Sequence, residues 1–507
     1  MRWIVFILFF TLQASAALQY LTKLIVPETS FETPSTNWNA GDDDTIRVDL
    51  GFNFPFNSTT YNQVWIDSNG RLSFSSINSD YSNEQLPKND ASQSIYPYWD
   101  DINPPQGGTI KYETLGNASN RHFVVSWNNT KHYSNYGNYT FQVVLYEDGA
   151  IRFRYQAGSS ADGTNCEGHA GCIEAGTPQA GATIGVQEDT SHYDQHSYDA
   201  QIDQTKDVLY IPNPINITAS PSSCTKIQKI AFSTYDTTGY NSYPNNASEY
   251  QTLISNYATS SNLFGSGYID NINVSSVRNN NPYQSNPDEH YLALFKGYIY
   301  LPDTGIYKFG IDGDDAVEVY IDGTLITGWY GGHARANHST HIKYVNATAG
   351  YHKIEYHMQE RTGGDSYYLY WQPPSGSSIV IVPASRFYHC GPVITKTSCI
   401  INDPVNASNN PKRIPGGTIR YAVEVDNTHF DAAKMDSVLA TDTLDSHFDA
   451  ATIQNLVIGS GVCNCLNPGG TSANGTNGGT SGSTVTLDFG TVNMQTKECG
   501  YFEVKIK

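Results

Sequence analysis

Short runs of β-branched and aromatic residues, each closed by a turn-forming pair, constrain this chain more than any other feature. Residues 64–66, 72–74, 122–127, 139–146 and 151–155 are such runs. Ser68-Asn69-Gly70-Arg71 and Glu147-Asp148-Gly149-Ala150 stand between neighbouring runs. Asn-Gly and Asp-Gly accept the positive φ of a tight hairpin turn, so the pattern predicts antiparallel strands. The composition of 43 Gly, 36 Tyr and 23 Pro against 4 Met, with only 15% charged residues, agrees and excludes a helical bundle or coiled coil. One helix is expected over 248–257, where Tyr250, Leu253, Ile254 and Tyr257 recur at helical spacing. The expected fold class is all-β and, at 507 residues, multidomain.

A formal charge of −20 repels phosphate backbones and anionic headgroups, so no nucleic acid partner is expected. Residues 1–16 read as a secretory signal: Arg2 is the positive end, 4–10 is the apolar run, and Ala14-Ser15-Ala16 is the cleavage pattern. That run is shorter than the about 20 apolar residues a bilayer demands. No membrane span is expected after signal cleavage, and the localisation read from the sequence is secreted or cell surface. All 8 cysteines follow residue 16, and an even number in an exported chain favours disulfides over zinc. Cys166 and Cys172 can staple one Gly-rich loop, while the connectivity of Cys399, Cys463, Cys465 and Cys499 stays open.

Pro-punctuated breaks at 212–224 and 390–392 divide the chain into blocks, and the Gly/Ser/Thr/Asn-rich stretch 469–483 reads as a long exposed loop between strands. The first block, 30–212, carries Leu50-Gly51-Phe52-Asn53-Phe54-Pro55-Phe56, Val64-Trp65-Ile66-Asp67-Ser68-Asn69-Gly70-Arg71-Leu72-Ser73-Phe74, Tyr96-Pro97-Tyr98-Trp99-Asp100-Asp101-Ile102 and Thr140-Phe141-Gln142-Val143-Val144-Leu145-Tyr146-Glu147-Asp148-Gly149. In these it resembles the nidogen-like domain, which implies a β-rich interaction module with a possible protein partner. Asp100-Asp101 reads as a turn whose carboxylates accept backbone N–H groups, rather than as a catalytic or metal pair.

The second block, 224–390, contains Tyr291-Leu292-Ala293-Leu294-Phe295-Lys296-Gly297-Tyr298-Ile299, then Thr304-Gly305-Ile306-Tyr307-Lys308-Phe309-Gly310-Ile311-Asp312-Gly313-Asp314-Asp315-Ala316-Val317-Glu318-Val319-Tyr320-Ile321-Asp322-Gly323. Ala349-Gly350-Tyr351-His352-Lys353-Ile354-Glu355-Tyr356 and Tyr368-Leu369-Tyr370-Trp371-Gln372-Pro373-Pro374 follow. This block resembles the PA14 domain, a β-sandwich of toxins, glycosidases and lectin-like adhesins. Cys224 and Cys390 bracket it, and the ends of a domain usually lie close together, so they are paired.

The resemblance implies a Ca²⁺ site. In sugar-binding PA14 members the positions matching Asp314 and Asp315 are joined by a cis peptide, and both carboxylates bind one calcium that sugar hydroxyls also contact. Two adjacent carboxylates on one side are tolerable with a cation between them, and Ca²⁺ takes about 6–8 oxygen ligands. The loop 359–366 is expected to supply the other half of the site, with Gly363 turning a carbonyl toward the metal and Asp365 adding a third carboxylate. Trp329 is the candidate for stacking on a sugar and Arg361 for donating to it. Ala316 departs from the family's common glycine and is tolerable where φ is negative. His333, His338, His341, His352 and His357 match no zinc spacing and read as solvated or hydrogen-bonded side chains.

The third block, 391–507, carries Val393-Ile394-Thr395-Lys396-Thr397, Ile414-Pro415-Gly416-Gly417-Thr418-Ile419-Arg420-Tyr421-Ala422-Val423-Glu424-Val425-Asp426-Asn427-Thr428, Ala440-Thr441-Asp442-Thr443-Leu444 and Leu487-Asp488-Phe489-Gly490-Thr491-Val492. It resembles the immunoglobulin-like (DUF11-like) repeats of bacterial surface proteins, which space a binding domain from a surface. The final strand-like run is expected to be an edge strand, or one completed by a partner. No nucleophile elbow, zinc-protease helix motif, phosphate loop or dinucleotide fingerprint occurs in the sequence. The function implied is therefore non-enzymatic: an exported adhesin binding glycans or glycoproteins on another surface through Ca²⁺. The alternative is a structural matrix or envelope protein whose calcium only stabilises the fold.

Overall fold

The computed structural model describes residues 17–89, 93–118, 120–133, 135–164, 173–174, 177–178, 181–219, 224–274, 289–472 and 478–507. The chain is an all-β, multidomain protein whose contacts divide it into two compact units, Met1–Pro214 and Ile215–Lys507. Among the described residues no helix is long and apolar enough to cross a membrane. Cys166 and Cys172 lie outside the described residues.

The first unit pairs a seven-stranded sheet with a six-stranded one. The larger runs Leu21–Pro27, Lys206–Pro212, Ile151–Tyr155, Tyr139–Tyr146, His122–Thr130, Thr109–Leu115 and Thr36–Trp38; the smaller runs Tyr193–Tyr198, Thr183–Gln187, Ser94–Trp99, Arg71–Ser73, Thr59–Asp67 and Thr45–Phe56. Both sequence-predicted hairpins form, Thr59–Asp67 with Arg71–Ser73 and Tyr139–Tyr146 with Ile151–Tyr155. Thr45–Phe56 alternates buried Val48, Leu50, Phe52, Phe54 and Phe56 with outward residues, as a strand covered on one face must. These residues share one core with Val125, Trp127, Phe141, Val143 and Leu145 of the facing sheet. Trp127 stacks on Phe141 at 4.8 Å and donates its Nε1–H to the Ser68 carbonyl at 3.0 Å, tying one sheet to the other's turn.

Gly70 in that turn has φ +80°, and a Cβ there would lie 2.0 Å from the Tyr98 carbonyl oxygen. Gly70→Ala is therefore expected to destabilise the first unit by about 2–4 kcal/mol, the sum of a left-handed backbone and a clash with fixed main chain. A melting curve of the full chain checks this, and an unchanged first transition would overturn it.

In the second unit, residues 215–390 form two further sheets around a core of Phe232, Phe295, Phe309, Val317, Tyr356 and Trp371, among others. One sheet runs Ile215–Ile217, Thr340–Ala347, Gly305–Asp314, Ser366–Gln372 and Asn273–Val274. The other includes Phe387–Cys390, Tyr291–Leu301, Gly350–Glu360, Ala316–Ile321 and Thr324–Trp329. The helix is Ala247–Tyr257; Asn246 caps it by accepting the Glu249 N–H at 3.0 Å, and Glu249 reaches back to the Asn245 N–H at 2.9 Å. Its Tyr250 and Leu253 are buried against Leu292, Leu294 and Ala316. Cys224 and Cys390 are disulfide-bonded, with their Cα atoms 5.5 Å apart.

Residues 393–506 build a five-stranded and a three-stranded sheet over a core that includes Val425, Leu456, Leu487, Phe489 and Phe502. Cys399–Cys465 and Cys463–Cys499 are the disulfides here. The last strand, Thr496–Ile506, corrects the expectation of an edge. It pairs with Thr418–Asn427 on one side and with Phe448–Ser460 on the other, so it sits inside the sheet. Its run of buried residues, Cys499 to Val504, reflects that central place. The stretch 469–483 is also not all loop: Thr471–Ser472 and Gly478–Ser481 are short strands.

Candidate functional site

At one end of the 215–390 sandwich the chain passes between the sheets twice, side by side. Gly305–Asp314 belongs to one sheet and Ala316–Ile321 to the other, with Asp315 alone between them and a cis peptide joining Asp314 to Asp315. Gly350–Glu360 returns through 361–365 to Ser366–Gln372. Pairing places Asp314 opposite Ser366 and Ala316 opposite Gln359, so the two crossings meet. One carboxylate oxygen from each of Asp314, Asp315 and Glu360 lies within 4.8 Å of the other two.

The surrounding backbone holds these groups in place. Asp315 Oδ1 accepts the His333 N–H at 3.2 Å and Oδ2 accepts the Arg361 N–H at 3.1 Å. Asp314 accepts the Arg335 N–H. Asp312 accepts the N–H groups of Ala336 at 2.7 Å and Asn337 at 2.9 Å, which anchors the same loop. From behind, the Tyr250 hydroxyl of the helix donates to the Ala316 carbonyl at 3.0 Å. Ala316 is absent from the positive-φ residues, so its replacement of glycine costs nothing in backbone strain. Gly364 is confined by contact, since a Cβ there would stand 2.9 Å from Asp314 Oδ2.

Glu360 is fully buried, and neither carboxylate oxygen has a hydrogen-bond partner. Burial, then the charges of Asp315, Asp314 and Asp365, push its carboxyl up to about 10. Burial raises Asp314 to about 6, helped by the neighbouring Asp315 carboxylate; burial likewise raises Asp315 to about 6 against the donors from Arg361 and His333. Three converging carboxylates, one with no donor at all, make an oxygen-only donor set suited to a hard cation. The residues present fit Ca²⁺.

The remaining sequence-assigned residues divide into those at this cluster and those beside it. Asp365 is buried, accepts the Tyr291 hydroxyl at 3.0 Å, and acts electrostatically on Asp314 and Glu360. Gly363 has φ +117° and donates its N–H to Glu289 Oε2 at 2.8 Å. Arg361 reaches the site through its main chain, while its guanidinium stands 5.3 Å over the Tyr243 ring. Trp329 stacks on His333 with centroids 3.6 Å apart and planes 9° from parallel, and His341 lies 5.0 Å away. His333 covers that face of the Trp329 ring. His352 and His357 are engaged by Asp322 at 2.6 Å and Glu318 at 2.8 Å.

Sequence reasoning missed Glu360, which it treated as part of the loop. Its signal was an acidic residue closing the run 350–360 immediately before the glycines.

These features define a multidomain all-β protein with an acidic site where two sheets exchange strands. Two family models locate it further: the NIDO-related model matches residues 13–228 and the PA14 domain model matches residues 252–385. The chain thus carries a NIDO-related region followed by a PA14 domain. Among solved structures, the PA14 domain of MpAFP antifreeze protein is 16% identical, covering 34% of this chain and 95% of its own, with a TM-score of 0.27. The PA14 sugar-binding domain from an RTX adhesin is 15% identical, covering 32% and 99%, with a TM-score of 0.27. The Epithelial Adhesin 6 A domain from Candida glabrata, in complex with Galb1-3GlcNAc, is 16% identical, covering 35% and 93%, with a TM-score of 0.27. No curated protein matches the sequence.

Proposed function

We propose that this chain is an extracellular adhesin whose PA14 domain binds glycans through Ca²⁺ held by Asp314, Asp315 and Glu360. The observation that carries the reading is the buried Glu360 carboxylate, without a donor, facing the aspartate pair. Asp365 and the backbone of the Gly363-Gly364 loop stand beside it and would complete the ligand set. Calcium would supply positive charge and open coordination positions for a pair of sugar hydroxyl oxygens. The protein's own part is to hold the carboxylates through the His333, Arg335 and Arg361 N–H groups. The side chains of Arg361 and Tyr243, beside the site, are the expected sugar neighbours, and Trp329 acts by backing His333.

The disulfides fit an oxidising compartment and so support export. The third block would act as a spacer, and the NIDO-related region as a protein-binding module. A glycan array probed with the full chain, in calcium and in chelator, tests the reading. Binding is expected in calcium alone, and Asp315→Asn is expected to abolish it. Calcium uptake with no glycan bound by the folded chain would instead favour a structural protein whose calcium only stabilises the fold.

A further inference from the structure

The Asp100-Asp101 segment of the first unit lies against a second acidic pair. Asp42 and Asp43 precede the Thr45–Phe56 strand, while Asp101 and Asn103 follow Ser94–Trp99. One carboxylate oxygen each from Asp42, Asp43 and Asp101 lies within 4.8 Å of the other two. Buried Asn69, from the hairpin turn, holds the two segments together: its Nδ2 donates to Asp43 Oδ1 at 2.8 Å, and its Oδ1 accepts the Ile102 N–H at 2.8 Å. The Asn103 N–H is fixed by the Lys131 carbonyl at 2.8 Å, and the Asp101 carbonyl accepts the Tyr133 N–H at 2.9 Å.

A second observation points to a ligand. Asn103 is 5% exposed, and its side-chain amide donates to the Asp42 carboxyl, which sets the amide against the cluster. Its Oδ1 accepts nothing, and neither does Asp42 Oδ1. Leaving a buried amide oxygen and a carboxylate oxygen without donors beside two more carboxylates is costly, and a cation removes that cost. Neighbouring cations are engaged elsewhere: Arg71 pairs with Asp67 at 2.5 Å, and Lys131 Nζ donates to the Gly137 carbonyl at 2.9 Å and Asn138 Oδ1 at 2.7 Å.

We infer that Asp42, Asp43, Asp101 and the Asn103 side-chain oxygen form a second divalent-cation site, for Ca²⁺, within the NIDO-related region. All four donors are oxygens, the preference of a hard cation, and the spread of the three carboxylate oxygens fits a shell whose ligands stand about 2.3–2.6 Å from calcium. Asp43 is exposed and gives the ion an entry, while buried Asp101 and Asn103 form the floor. The ion clasps the 42–43 loop to the 101–103 segment.

The test is the number of calcium ions bound by the full chain in equilibrium dialysis. Asp42→Asn/Asp101→Asn is expected to lower it by about one equivalent, and to do so equally in the Asp314→Asn/Asp315→Asn background. Asn103→Ala keeps every carboxylate and is expected to weaken that equivalent about tenfold. The two sites fail separately: no drop on changing Asp314 and Asp315 would count against the PA14 reading alone. Unchanged stoichiometry and affinity in Asp42→Asn/Asp101→Asn, with its near-UV circular dichroism intact, would overturn this inference. Should the double variant fail to fold, unchanged calcium affinity in Asn103→Ala overturns it equally.

Discussion

Glu360→Gln is expected to change the thermal stability of the full chain with opposite sign in chelator and in calcium. Without metal, a buried carboxylate whose pKa is raised to about 10 must take up a proton to fold at neutral pH. The sign follows from linkage: a raised pKa contributes stability below the unfolded value of about 4.3, and that stability is lost as pH rises toward 10. Glutamine has no such proton to gain, so in chelator at pH 8 the variant should be more stable by about 2–4 kcal/mol. With calcium the order reverses, because the variant gives up a charged ligand and binds the ion at least about tenfold more weakly. Scanning calorimetry of both proteins in both conditions reads this directly. A change of the same sign in the two conditions would show that Glu360 is not a ligand.

Calcium affinity should collapse on acidification through pH 6. Asp314 and Asp315, each raised to about 6, are ionised above that value and compete for protons below it. Each carboxylate that must lose a proton to bind metal costs about tenfold in affinity per pH unit, so Glu360 alone gives about tenfold per unit above pH 6 and the three together up to about a thousandfold per unit below it. In the metal-free chain the same groups stabilise the fold at low pH and cease to do so as pH rises through 6. The rise in melting temperature on adding calcium should therefore be far larger at pH 8 than at pH 6 and vanish near pH 5. A pH-independent calcium effect between 5 and 8 would place the ion elsewhere.

What the sequence disclosed, and what it withheld, follows from the range of each interaction. The hairpins at 68–71 and 147–150 are local, and Asn-Gly or Asp-Gly specifies them without help from the rest of the chain. The helix was legible for the same reason, its buried Tyr250 and Leu253 being three residues apart. Asp314 and Asp315 are neighbours and so were visible as a pair. Glu360 joins them because two sheet crossings lie side by side, a meeting that its place before the glycines marks in sequence without fixing it. Asp42 and Asp43 meet Asp101 in the same non-local way, through a hairpin turn that supplies Asn69 as the link. Trp329 was read by its chemical type, and type does not reveal that His333 stacks on it. The central place of Thr496–Ile506 depends on which strands flank it, whereas its own residues would suit an edge or an interior almost equally.

The Cys224–Cys390 bond has a mechanical consequence. Its Cα atoms are 5.5 Å apart although the cysteines are 166 positions apart in sequence, and the span between them includes both crossings that build the acidic site. A pull on the chain to either side of this segment passes from one cysteine to the other through the covalent bond. The enclosed strands stay outside the load path, and of the 215–390 sheets only Ile215–Ile217, which precedes Cys224, can be peeled away from its end. A ligand held at the crossings would then feel tension through the folded body as a whole, which leaves detachment to the contact itself rather than to extension of the polypeptide behind it.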